Sequence, residues 1–255
     1  MILYKYLAPA KARECLIDND SIWLTPPVYL NDVLEFQVRR EAMDEVEARK
    51  MFEGFQRIKP STLEFEDYWE RVSSKEFVEK EPGDMQDNLS KVLGVASFTS
   101  EPLNELMWSH YAENRGVAIG YEASDETLMD DMAARQLPCG YALRVGYGNS
   151  YPVIRKDFSN AVRALAWKRD AWSYEREWRV IGSLQDARPI RFGDKTFYGL
   201  PASRDRVAHV VFGINTERVF EEALLAWLGT SSAQVQKVGI DPSNQSFVLI
   251  DYPQT

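Results

Sequence analysis

The 255-residue chain is poor in the residues that metal and disulfide chemistry require: it has two cysteines, Cys15 and Cys139, and two histidines, His110 and His209. Neither cysteine belongs to a CxxC or Cys/His cluster. A disulfide framework, a structural zinc site and a His-rich metal centre are therefore not indicated, no metal ligands are assigned, and a reducing cytosol suits the composition. No stretch approaches the ~18 apolar residues of a membrane-spanning helix. The opening MILYKYLAPAKARE lacks a basic start, a sustained apolar run and a cleavage site. A cytoplasmic protein with no membrane contact is expected. GxSxG, Walker A and GxGxxG elements are also missing, which weakens hydrolase, P-loop and Rossmann readings. A formal net charge of -9 argues against general nucleic-acid binding, which needs clustered Lys and Arg.

A 45% hydrophobic content is enough for a real core, and 12% aromatic residues suit a protein with an aromatic-lined concave surface. The charge is uneven. Residues 41–90 hold 14 acidic against 7 basic residues, whereas residues 144–206 hold 13 basic against 7 acidic. The second stretch could face a phosphorylated ligand, and scattered surface charge balanced by the acidic stretch is the competing explanation.

Along the chain, Ile2 to Tyr6 reads as a strand, Pro9 to Asp18 as a helix and Ile22 to Leu24 as a second strand. From Leu34 to about Lys91, widely spaced apolar residues among Glu, Arg, Lys and Gln predict a helical insertion (about 34–91), broken near Pro60 and Pro82-Gly83. Strands are expected at Val92 to Thr99, Val117 to Ile119, Tyr141 to Tyr147, Glu175 to Ser183, Ile190 to Phe192, Val207 to Phe212, Val235 to Ile240 and Phe247 to Tyr252. Helices are expected at Asn104 to Tyr111, Asn160 to Trp167 and Glu217 to Leu228. The economical architecture is one α+β domain over residues 1–255 with a helical insertion.

Three segments could carry chemistry. In Tyr174-Glu175-Arg176-Glu177-Trp178-Arg179, strand alternation would put Glu175, Glu177 and Arg179 on one face. Two carboxylates at that spacing repel when ionised, and a nearby cation relieves the repulsion. Cross-strand pairing on a solvated face would use the same residues, but the flanking Trp172, Tyr174 and Trp178 favour a site by lowering the local dielectric. In Trp108-Ser109-His110-Tyr111, helical spacing puts Trp108 and Tyr111 on one side. His110 is a candidate acid, base or hydrogen-bond donor, and equally a packed structural histidine. In Asn31-Asp32-Val33-Leu34-Glu35-Phe36, Asp32 and Glu35 have the spacing of a helix-capping pair.

In order, YKY at Tyr4 to Tyr6, NDVLEF at Asn31 to Phe36, MWSHYA at Met107 to Ala112, GVAIGY at Gly116 to Tyr121, and Lys168 with W-x-Y-E-x-E-W-R at Trp172 to Arg179 resemble one bacterial domain-of-unknown-function family, number two-nine-seven-one. The chain departs from that pattern at Val33 and Leu34, where the family usually has N-D-P-F-E, and at Ser97-Phe98-Thr99, where it usually has C-F-S. The order of pieces is also distantly similar to the ADP-ribosyltransferase fold, with its split β-sheet cleft.

That second resemblance implies NAD as substrate. Glu177 would stabilise the oxocarbenium-like ribose and Glu175 would orient the acceptor or the ribose hydroxyls. His110 is carried as the third catalytic candidate. Lys5 or Tyr6, together with Ser97 and Thr99, would help hold NAD; Tyr111 or Trp108 would stack on nicotinamide; Lys168 or Arg179 would meet the diphosphate. The function implied is an NAD-dependent ADP-ribosyltransferase or NAD glycohydrolase, as a bacterial toxin or defence effector. The alternative is a non-catalytic nucleotide- or partner-sensing module in stress or phage defence, with a protein partner on residues 34–91. A carboxylate-dependent nuclease is weaker, because no clear acidic triad is present.

Overall fold

The computed structural model describes residues 1–58, 60–74, 84–128, 132–137, 139–155 and 161–252. In chain order the elements begin with β1 (Ile2–Leu7), α1 (Pro9–Ala12), β2 (Ser21–Leu24), β3 (Arg39–Arg40), α2 (Glu45–Ile58), α3 (Phe65–Ser73), α4 (Asp84–Leu89) and β4 (Leu93–Thr99). There follow α5 (Glu105–Ala112), β5 (Val117–Glu122), β6 (Ser124–Leu128), β7 (Met132–Leu137), β8 (Gly140–Arg144), β9 (Gly146–Gly148), β10 (Val153–Ile154), α6 (Ala161–Leu165) and β11 (Trp167–Arg169). The chain ends with β12 (Glu177–Ser183), β13 (Arg188–Phe192), β14 (Lys195–Pro201), β15 (Val207–Phe212), α7 (Arg218–Leu228), β16 (Gln234–Ile240) and β17 (Phe247–Asp251). The class is α+β.

A ten-strand sheet in the order β17-β16-β15-β5-β1-β4-β12-β8-β7-β6 forms the frame. Most of its strands are antiparallel, and β15 and β16 run parallel, connected through α7. Alternation along β1 sends Leu3 and Leu7 into the main core and Tyr4 and Tyr6 into a second cluster on the opposite face. The main core lies between the sheet and a cover made of the π-helical turn Arg13–Asp18, α7 and the three-strand sheet β13-β14-β2. On the other face, Met107, Trp108 and Ala112 of α5 pack on Tyr4, Tyr6, Ala118 and Val211. Gly116, just before β5, is required by space: a Cβ there would lie 1.9 Å from the Leu7 carbonyl oxygen.

The pairing of β1 with its two neighbours is uneven. β1 pairs with β5 over all of Ile2 to Leu7, but with β4 only at Tyr4↔Thr99. Beyond that pair the two strands part, and farther along β4 its neighbour is Thr25, which exchanges backbone hydrogen bonds with Val95 at 2.7 and 2.9 Å. Among the described residues β1 and β4 are thus paired at one position, and Thr25, just after β2, bridges the small sheet to β4.

Several sequence expectations need correction. The strand expected from Glu175 starts at Glu177, because Arg176 takes a left-handed conformation (φ 44°) and ends a 3-10 turn over Asp170–Glu175. The helix expected up to Trp167 is confined to Ala161–Leu165, and Trp167–Arg169 pairs as a parallel strand with β9; its expected start at residue 160 lies outside the described residues. The first helix becomes π-helical from Arg13. The insertion holds α2, α3 and α4, but residues 34–44 are not helical, and Arg39–Arg40 pairs with Val153–Ile154. The break expected at 82–83 falls outside the described residues. α2 and α3 share a small core of their own around Ala48, Phe65 and Val72. Among the described residues no helix is long and apolar enough to cross a membrane.

Candidate functional site

The parting of β1 and β4 opens a cavity of about 190 Å3. Lys5, Tyr6 and Leu7 form one wall, Val95, Ser97 and Phe98 the facing wall, and Glu35, Tyr111, Lys168, Glu175 and Glu177 close one end. Each of these last groups reaches the cavity for a local reason. Tyr111 sits on the last turn of α5, whose first turn is capped by Asn104; that side chain accepts from the Leu106 and Met107 amides and donates to the Tyr174 carbonyl at 2.9 Å. Asn104 thus ties α5 to the segment bearing Glu175. Lys168 is aimed by the short pairing of β11 with β9. The left-handed Arg176 turns the chain between Glu175 and Glu177, so a residue in a turn and a residue in a strand point to the same place.

The closed end is an ion cluster. Lys168 Nζ lies 2.6 Å from Glu175, 3.0 Å from Glu35 and 3.5 Å from Glu177. Arg179 donates through Nε and one terminal nitrogen to both oxygens of Glu177, each at 2.9 Å, and to Glu35 at 2.8 Å; its other terminal nitrogen reaches the Leu165 carbonyl at 3.2 Å. Tyr111 accepts from Asn31 at 2.7 Å and donates its hydroxyl to Glu175 in a short hydrogen bond. Tyr147 accepts from the Glu177 amide at 2.8 Å. Lys168, Glu35, Glu175, Glu177 and Arg179 are all buried. Three carboxylates against two cations leave one negative charge in the cluster when all are ionised.

Titration follows from this arrangement. Burial would raise the Glu177 carboxyl, but Arg179 and Lys168, helped by a hydrogen bond from Ser97, bring it down to about 2. Burial raises Glu175, and the neighbouring Glu177 adds to this against the opposing pull of Lys168 and Tyr111. Two adjacent carboxylates are thereby driven in opposite directions. Burial alone would lower Lys168, yet Glu177, Glu35 and Glu175 hold it above its ordinary value. Burial raises the Tyr111 phenol, and the Glu175 carboxylate raises it further. Lys5 is lowered to about 8 by burial, with Lys11 adding to the effect.

Of the residues singled out in the sequence, Lys5, Tyr6, Ser97, Tyr111, Lys168, Glu175 and Glu177 line the cavity. The other four do not. Trp108 is wholly buried, edge-on to Tyr6, with its indole N–H on the Pro102 carbonyl, so its ring cannot stack on a ligand. Thr99 is wholly buried and its hydroxyl accepts from the Glu101 amide, capping the end of β4. His110 points outward from α5 and meets Tyr174 at 3.3 Å. Arg179 is sealed behind Glu177 and Glu35, where it neutralises carboxylates and is shut off from any diphosphate.

Two cavity residues carried too little local signal to be assigned roles. Glu35 had its spacing from Asp32 and its place in the NDVLEF segment, neither of which names a role, and the segment forms a turn without a helix: Asp32 caps the Leu34 amide at 2.9 Å, while the Glu35 carboxylate goes to Lys168 and Arg179. Lys11 sits on the first helix among residues that read as ordinary surface, and it lines the cavity.

Residues 107–180 match the model of a family described as Protein of unknown function (DUF2971). The matched span holds Tyr111, Lys168, Glu175, Glu177 and Arg179, whereas Lys5, Lys11 and Glu35 precede it. No curated protein and no solved structure matches the chain.

Proposed function

We propose that the cavity between β1 and β4 is an NAD-cleaving site, working as an ADP-ribosyltransferase or NAD glycohydrolase. The observation that carries this reading is the pair of buried carboxylates, Glu175 and Glu177, on the wall of a cavity where β1 and β4 part. Cleavage of the N-ribosyl bond develops positive charge on the ribose, and a fixed carboxylate held ionised stabilises that charge. Glu177, ionised down to about pH 2, fits this role. Glu175, which takes up a proton more readily and is bonded to Tyr111, fits the orientation of ribose hydroxyls or of an acceptor. The net negative charge of the cluster suits a pyridinium leaving as neutral nicotinamide. At about 190 Å3 the cavity is smaller than the ~300–1,000 Å3 of sites that enclose a whole drug-sized ligand, so it would receive only one end of a dinucleotide.

The test is incubation of the purified chain with NAD labelled in its adenylate, with and without protein or nucleic-acid acceptors. Nicotinamide release or label transfer is expected, and Glu177→Gln should remove most of it. Absence of release, transfer and NAD binding overturns the reading. One observation favours the second reading, a nucleotide-sensing module without turnover: both oxygens of Glu177 are already occupied by Arg179. Its mark is a rise in melting temperature with NAD or ADP-ribose and no nicotinamide release.

A further inference from the structure

Beside the glutamates, the cavity lining carries cations of a different kind. Lys5 and Lys11 belong to it. Lys5 Nζ donates to the Ser97 carbonyl at 3.3 Å and lies 5.3 Å from the Phe98 ring centre. Lys11 Nζ lies over two rings, 4.8 Å from Phe197 and 5.9 Å from Trp23. Lys195 is exposed and does not itself line the cavity, but it lies 5.2 Å from the ring of Tyr29, which does. None of these three lysines has a carboxylate within ion-pair distance among the described residues, although the same cavity holds three carboxylates committed to Lys168 and Arg179.

We infer that the Lys5–Lys11–Lys195 group is a subsite for a multiply charged phosphate group, so the ligand of this cavity is a phosphate or diphosphate ester whose anionic part lies on the lysines and whose remainder points to Glu175 and Glu177. Lys11 and its neighbours Lys5 and Lys195 repel one another, and for the desolvated Lys5 and Lys11 aromatic faces return only part of the hydration they lose. A polyanion resolves that imbalance where a monovalent carboxylate would leave excess positive charge. Lysine meets phosphate as a point charge on a flexible stem, and this fits a site whose donors come from two strands and a helix. The electrostatics agree in direction: burial, with Lys11 adding to it, brings Lys5 down to about 8 against the opposing pull of Cys15, Cys139 and Glu177, and burial, with Lys195 adding to it, lowers Lys11 against the pull of Cys15. The cavity therefore holds two unlike groups of charges, an ion-paired cluster with one net negative charge and lysines without an ion-pair partner among the described residues. The inference rests on the reading of this cavity as a ligand site, and it does not require that NAD be cleaved.

The test is calorimetric titration of the full chain with inorganic pyrophosphate and, separately, ADP, in buffer containing chelator. Saturable binding is expected, weakened at least tenfold by Lys11→Gln, weakened less by Lys195→Gln, recovered in large part by Lys11→Arg, and unweakened by Glu175→Gln. ADP binding more tightly than pyrophosphate keeps the inference of an ester ligand, and the reverse order overturns it. No saturable binding by the unaltered chain, or equal binding by a folded Lys11→Gln variant, overturns it. A chain that binds pyrophosphate through Lys11 but releases no nicotinamide loses the NAD-cleavage reading alone. A chain that releases nicotinamide with a KM unchanged by Lys11→Gln loses the subsite alone.

Discussion

Glu35 and Arg179, separated by 144 positions in the chain, meet at 2.8 Å in a place sealed from solvent. Arg179 holds Glu35 and both oxygens of Glu177 at once. The contact fastens the start of the insertion to the strand that carries one of the two cavity carboxylates.

Taking away Arg179 leaves Glu35 and Glu177 buried with only Lys168 to balance them. Arg179→Met should therefore destabilise the fold by about 3–5 kcal/mol, the usual consequence of orphaning a buried charge. Glu35→Gln, which keeps shape and a hydrogen-bonding oxygen, should cost less. Urea unfolding of the two variants measures this, and an Arg179→Met midpoint equal to that of the unaltered chain would show that the cluster contributes nothing.

Acid should act on the cluster in a defined direction. Glu177 titrates at about 2 in the folded chain, against roughly 4.3 for a free glutamate, because Arg179 and Lys168 outweigh the cost of its burial. Its ionised form is favoured by folding, so its contribution is complete above about pH 4.3 and is lost as the pH falls through about 2. Glu175 is raised by burial, so its ionisation opposes folding and its contribution runs the other way, declining as the pH rises through its folded pKa. The stability gap between the unaltered chain and Glu177→Gln should narrow steadily from about pH 5 to about pH 2. Urea midpoints across that range supply the measurement, and a gap independent of pH contradicts the account.

Tyr111→Phe removes the hydroxyl that joins Asn31 to Glu175 while leaving the ring in place. A hydrogen bond to a charged group is worth about 1.5–3 kcal/mol. Without it Glu175 should titrate higher still, and nicotinamide release should fall roughly tenfold or more, with its acid limb displaced upward. A pH–rate profile superimposable on that of the unaltered chain would show that Tyr111 does not govern Glu175.

His110→Ala should be close to neutral. The ring is exposed, lies off the cavity and has one long hydrogen bond, to Tyr174. Stability should stay within about 0.5 kcal/mol, and turnover within about twofold, a difference well under the ~1.4 kcal/mol that a tenfold change represents. A collapse of turnover would place His110 in the chemistry despite its position.

Short runs rich in β-branched and aromatic residues were legible from sequence. Val207 to Phe212 reads VAHVVF and forms a strand over those residues, and Phe247 to Asp251 differs by one residue from its expected end. Lys195–Pro201 was not legible, since its Gly and Pro argue against a strand and its place is fixed by pairing with β2. Trp167–Arg169 was lost for a similar reason, because three residues carry no period and the partner strand supplies the order. The crowding of Glu175, Glu177, Tyr111 and Lys168 could be suspected from their chemical types and neighbours. That Trp108 faces the core could not, because its three-residue spacing from Tyr111 suits a shared core face and a shared cavity wall equally. Glu35 was hidden most deeply, since all of its ionic partners are more than a hundred residues away.

The parting of β1 from β4 also affects how the chain behaves toward other chains. Open ladder groups at the margin of a sheet usually invite a foreign strand to add on, which is the first step of aggregation. Here the open stretch lies between two strands of one sheet, bordered by Thr25 and by the ammonium of Lys5, which occupies the Ser97 carbonyl. Unpaired backbone is thus kept inside the molecule, within reach of a small ligand and out of reach of a second polypeptide.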